Sequence, residues 1–183
     1  TITPANKPAR EGLGDGSRRS EVLAAAKRLV GVDTNFDEQG FLVHLLQSAD
    51  ISLEAPTGED IVKTLYDDLN QKDQVFGPSK TVKPGDIIFF SNTYDRDDDG
   101  RTDDWFTMAG VVERVDGDGT VQFIGFVGNR IDRLYMNLDR PSAQRDEGTG
   151  KTLNSLLREK RLSDRPFTRY HAGELFASYG SLD

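Results

Sequence analysis

Apolar residues recur at helical spacing as far as Leu69 and in short strand-like runs from Ile87 onward. That change of period limits the chain to helices first and a sheet second. In SEVLAAAKRLVG, Ser20 is placed to cap, Val22, Leu23, Ala26, Leu29 and Val30 share one face, and Gly31 supplies the stop. A second helix opens near Asp37 and carries Phe41, Leu42, Leu45, Leu46 and Ala49 at the same spacing. A third is expected from Thr57, where Thr57-x-x-Asp60 is similar to a capping box, and runs through Ile61, Leu65 and Leu69.

The turn Lys83-Pro84-Gly85-Asp86 leads into the fully apolar strand IIFF, residues 87–90. AGVVERV (109–115), a DGDG turn and TVQFIGFV (120–127) read as a β-hairpin, and RLYMNL (133–138) alternates as one more strand. A charged helical stretch is expected over 153–161, before a tail ending in GELFASYG. The fold class is α+β, with N-terminal helices packed on an antiparallel sheet. Residues 1–19 read as an extended leader or linker, 20–140 as the domain, and 141–183 as a C-terminal extension packed on it.

Charge and composition remove several classes of function. A net charge of -8 with a pI near 4.8 argues against nucleic-acid or anionic-membrane binding, because no basic stripe offsets the acidic excess. No apolar run approaches the roughly 20 residues that span a bilayer. With no cysteine in the chain, no thiol nucleophile is available. The two histidines, His44 and His171, lack metal-ligand spacing and are expected in packing or surface roles. Phosphate-loop, dinucleotide and Gly-x-Ser-x-Gly motifs are absent.

The order of pieces, FDEQGF opening a helix, then PGDIIFF, then TMAGVV, resembles the NlpC/P60 group of papain-like cell-wall peptidases over residues 20–140. In that family a cysteine at the helix start is the nucleophile, a histidine at the start of the later strand is the base, and a polar residue on the next strand orients it. The resemblance places Glu38 at the cysteine position, Met108 at the base and Gly125 at the orienting position. A carboxylate in the first turn of a helix is stabilised in its charged form, so Glu38 is expected to have a lowered pKa and to be a poor base. The resemblance therefore implies a degenerate, catalytically inactive member.

Two further features carry chemistry. Trp105 and Phe106 sit directly before Met108 and are candidates to line the remnant cleft. The loop YDRDDDGRTDDW places Asp95, Asp97 and Asp99 at alternate positions, follows them with Gly100, and closes on Asp103 and Asp104. This D-x-D-x-D-G opening points to Ca²⁺. Phe106 stands where an EF-hand needs glutamate, and the loop is closer to the shorter loops of thrombospondin-type repeats.

The resemblance implies a bacterial envelope setting, periplasmic or extracellular. The expected function is a binding or scaffolding module for a peptidoglycan stem peptide or an envelope protein. The alternatives are a structural subunit that does not touch peptidoglycan, or a wall hydrolase with rebuilt chemistry.

Overall fold

The structure is a computed structural model that describes residues 17–53 and 60–183. Three helices come first: α1 (Ser17–Leu29), α2 (Glu38–Ser48) and α3 (Ile61–Gln71). Helix α1 begins before the expected cap Ser20, and Arg19 in its first turn pairs with Asp183 at 2.6 Å and Asp86 at 3.6 Å. Asp37 caps α2 by accepting a bond from the Gly40 N–H at 2.7 Å. Thr57 lies outside the described residues; the cap of α3 is Asp60, which accepts from the Val62 N–H at 2.9 Å. Gln39 of α2 takes the next orphan donor, the Ile61 N–H, at 2.7 Å, so the starts of α2 and α3 are tied together.

Six antiparallel strands follow: β1 (Val75–Phe76), β2 (Ile87–Phe90), β3 (Met108–Val115), β4 (Val121–Val127), β5 (Arg130–Met136) and β6 (Phe176–Gly180), the last preceded by the short helix α4 (Ala172–Leu175). Their order across the sheet is β1-β6-β2-β3-β4-β5. β2 is covered on both faces, which is why it reads as an unbroken apolar run: Ile87 and Phe89 join one core, Ile88 and Phe90 the other. The first core packs α1–α3 on the sheet. The second lies on the opposite face, under Leu157, Ala172 and Leu175 of the C-terminal segment.

That segment departs from its sequence pattern. The helix expected over 153–161 does not form; the segment is irregular, with an isolated bridge between Leu156 and His171. The buried Asn154 side chain is the reason. Its Oδ1 accepts from the N–H groups of Asn137 and Gly173 at 2.8 and 2.9 Å, while its Nδ2 donates to the carbonyls of Arg140 and Ala143 at 2.8 and 2.9 Å. Four such bonds outweigh a weak helical preference. Residues 176–180 then enter the sheet between β1 and β2, so the chain's last residues supply an interior strand. Among the described residues, no helix is long and apolar enough to cross a membrane.

Candidate functional site

The N-terminus of α2 is aimed at the start of β3. Glu38, the first residue of the helix, accepts a bond from the Ala109 N–H at 3.3 Å through its Oε1. Ala109 lies beyond the last β3–β4 pair, Val111 with Ile124, so its N–H meets the helix and not a neighbouring strand. The carboxyl is partly buried, and that burial pushes its pKa up from 4.5 to about 8. The Ala109 N–H pulls the other way, and the nearby charges of Asp60 and Asp37 push it up further. The lowered pKa expected from a helix start is overturned, because lost hydration outweighs the bond from the Ala109 N–H. At neutral pH Glu38 holds its proton.

Met108 and Gly125 come together elsewhere. Side chains alternate along β3, so Ala109 belongs to the helix-side core while Met108 is buried in the core on the opposite face. A Cβ added to Gly125 would stand 2.8 Å from Met108 Cε and 3.2 Å from Leu134 Cδ1, so the glycine makes room for the methionine. Met108 and Gly125 pack against each other, and Glu38 lies across the sheet from both.

Trp105 and Phe106 also separate. Trp105 is 62% exposed, whereas Phe106 stacks on Tyr66 of α3 with ring centroids 3.6 Å apart. Phe106 adopts a left-handed φ of 53°, which turns the chain between the two aromatics and sends one outward.

The acidic loop is closed at its base by paired hydrogen bonds. Asn92 N–H donates to the Asp104 carbonyl at 2.8 Å, and Asp104 N–H donates to Asn92 Oδ1 at 2.9 Å. Thr93 Oγ1 and Thr107 Oγ1 lie 2.7 Å apart. This closure brings Asp95, Asp97 and Asp104 together, each offering a carboxylate oxygen within 4.8 Å of the others. Asp99 accepts from the Arg101 N–H at 2.7 Å, Asp103 is exposed, and neither belongs to that trio. Gly100, at φ 73°, makes the turn, and its N–H donates to Asp95 Oδ2 at 2.8 Å. A cavity of about 490 Å³ opens beside the loop, bordered by Tyr94, Asp95, Val127, Leu156, Arg158 and Arg161.

Sequence reading missed the brace between these regions. Arg96, one of two arginines within the acidic run, pairs with Asp60 at 2.8 Å and donates to the carbonyls of Trp105 and Phe106, each at 3.2 Å. An arginine set between Asp95 and Asp97 was the available signal. The histidines take structural places: His44 packs on Phe36, and His171 caps α4 with Nδ1 3.0 Å from Glu174. Compared with known proteins, the chain matches no family model, no curated protein and no solved structure.

Proposed function

We propose that the chain is a non-hydrolytic peptide-binding module on a papain-like frame of the NlpC/P60 type, working in the bacterial cell envelope. The observation that carries this reading is the contact of Glu38 with Ala109. A helix start pressed against the head of a sheet strand is the arrangement in which that family would hold its nucleophile, and here a protonated carboxyl occupies it. The chain has no cysteine, and the side chain flanking that contact on the same face of β3 is the methyl of Ala109, so the site has neither thiol nor imidazole. The ligand is a peptide, either a stem peptide of the wall or a segment of an envelope protein. Trp105 is the natural anchor, since exposed aromatics on a fixed backbone dominate such contacts.

Binding to purified peptidoglycan, run beside a pull-down from envelope extract, separates the two peptide sources. Trp105→Ala should weaken retention in whichever arm shows it, and muropeptide hydrolysis should stay at background. Retention unchanged by Trp105→Ala would move the surface to the cavity between the acidic loop and residues 156–161.

One observation favours a second reading. A carboxyl held protonated near neutrality is suited to general acid chemistry, as a hydrolase with rebuilt chemistry would need. Measurable muropeptide cleavage that is lost in Glu38→Gln would establish that reading in place of the first.

A further inference from the structure

We propose that Asp95, Asp97 and Asp104 form a calcium site that fixes the backbone carrying Trp105. The ligand set is narrower than the five aspartates at ligand spacing in the sequence, and two independent observations select it. The first is geometric. Oxygens bound at about 2.4 Å to one ion lie at most about 4.8 Å apart, and the three carboxylates meet that limit without rearrangement.

The second is an unsatisfied buried oxygen. Asp104 is only 6% exposed, and its Oδ2 has no hydrogen-bond partner, while its Oδ1 accepts from the Arg96 N–H at 3.1 Å. Buried carboxylate oxygens are ordinarily paired, because leaving one unpaired costs its full hydration. The nearest cation does not supply the pairing, since the Arg96 guanidinium is directed to Asp60 and to two backbone carbonyls. Asp95 and Asp97, the neighbours of Asp104, are themselves acidic, and their carboxylates crowd the same point. A cation among the three would relieve both the repulsion and the missing partner.

Calcium suits the site better than magnesium. Hard oxygen donors drawn from both ends of a loop give an irregular shell, which calcium accepts; magnesium demands near-ideal octahedral geometry and gives up water reluctantly. Filling the site would tie Asp95 and Asp97 to Asp104, whose own N–H and carbonyl are already paired to Asn92. Trp105 is the next residue, so the ion would hold the chain from which the exposed indole projects. This inference is independent of whether a peptide binds there.

Terbium, a luminescent stand-in for calcium, tests it directly, because Trp105 is the chain's one tryptophan and adjoins the site. Tryptophan-sensitised terbium emission should saturate and be displaced by calcium at about 10⁻⁴–10⁻³ M, with magnesium far weaker. Calcium at about ten times its dissociation constant should raise the melting temperature by roughly 3–6 °C. Asp97→Asn, at an exposed position, should lose both responses while the protein stays folded, and Asp103→Asn should keep both. Trp105→Phe should lose the emission and keep the thermal shift. Equal responses to calcium and magnesium that sodium chloride reproduces, or a calcium shift that survives in Asp97→Asn, would overturn the proposal.

Discussion

Glu38 and Asp104 are both carboxyls withdrawn from water, each within reach of a backbone N–H and of other acidic side chains. Their surroundings differ in one respect that decides their chemistry. Glu38 has a single close partner, the Ala109 N–H, and the aspartates that raise its pKa are otherwise engaged, Asp37 capping α2 and Asp60 capping α3 beside Arg96. A lone carboxyl in such a place is neutralised most simply by a proton. Asp104 converges with Asp95 and Asp97, and three carboxylates crowded together are better neutralised by one divalent ion than by separate protons. Burial supplies the pressure in both places, and the number of converging carboxylates determines the response. Arg96 joins the two, with its backbone N–H on Asp104 and its guanidinium on Asp60.

The largest expected effect is the pH dependence of stability at Glu38. Its folded pKa, about 8, stands above the unfolded value of 4.5, so the folded state binds a proton that the unfolded state has lost. The stabilisation is complete below pH 4.5 and disappears as pH rises toward 8, with a slope of at most about 1.4 kcal/mol per pH unit. Glu38→Gln, a permanent mimic of the protonated form, should flatten that part of the profile and leave the protein more stable than the parent at pH 9. Denaturant melts at pH 5, 7 and 9 on both proteins give the difference. A parent and variant with parallel profiles would mean that Glu38 ionises normally, and the contrast with Asp104 would collapse.

Cutting the link between the regions comes next. Arg96→Ala leaves Asp60 without its ion pair and the carbonyls of Trp105 and Phe106 without their donor, and should cost about 1–2 kcal/mol. Asp60 is then an uncompensated neighbour of Glu38, so the Glu38 pKa should rise further. Calcium affinity should fall only modestly, because the contact of Arg96 with Asp104 is through the backbone N–H, which the substitution keeps. A loss of calcium binding as large as that of Asp97→Asn would show that the guanidinium belongs to the metal region after all.

The smallest stability effect belongs to Trp105→Ala. Most of this side chain is in solvent, so the melting free energy should change by less than about 0.5 kcal/mol, while peptide retention falls. A large destabilisation would identify the indole as packing and remove it as an anchor.

Much of the architecture could be read from the chain. The helical spacing through Leu69, the helix opening near Asp37 and the apolar strand Ile87–Phe90 all hold. Two parts could not be read, for different physical reasons. Phe176–Gly180 carries Ala, Ser and Gly, shows no alternation, and becomes an interior strand only because β1 and β2 flank it. Residues 153–161 carry helix formers, but Asn154 takes its partners from residues distant in the chain, which no local pattern reveals.

The meeting of the α2 start with the head of β3 was legible in the sequence, and the facing of the β3 side chains was not. The motif order led to Glu38 and to the head of β3, and the structure joins them. Because strand side chains alternate, the difference between Met108 and Ala109 is the difference between the two faces of the sheet. Position matching along a motif cannot detect such a flip. The acidic loop was legible as a cluster, yet the choice of Asp95, Asp97 and Asp104 over Asp99 and Asp103 depends on how the Asn92–Asp104 closure folds the loop back.

The central claim is that the Glu38 carboxyl, at the start of α2 and against the head of β3, is neutral at pH 7. Side-chain carbon NMR of selectively labelled glutamate, assigned by Glu38→Gln and followed from pH 4 to 10, reads that protonation state residue by residue. The account predicts that the Glu38 carboxyl titrates near 8, unmoved by millimolar calcium. A Glu38 midpoint near 4.5 would contradict it.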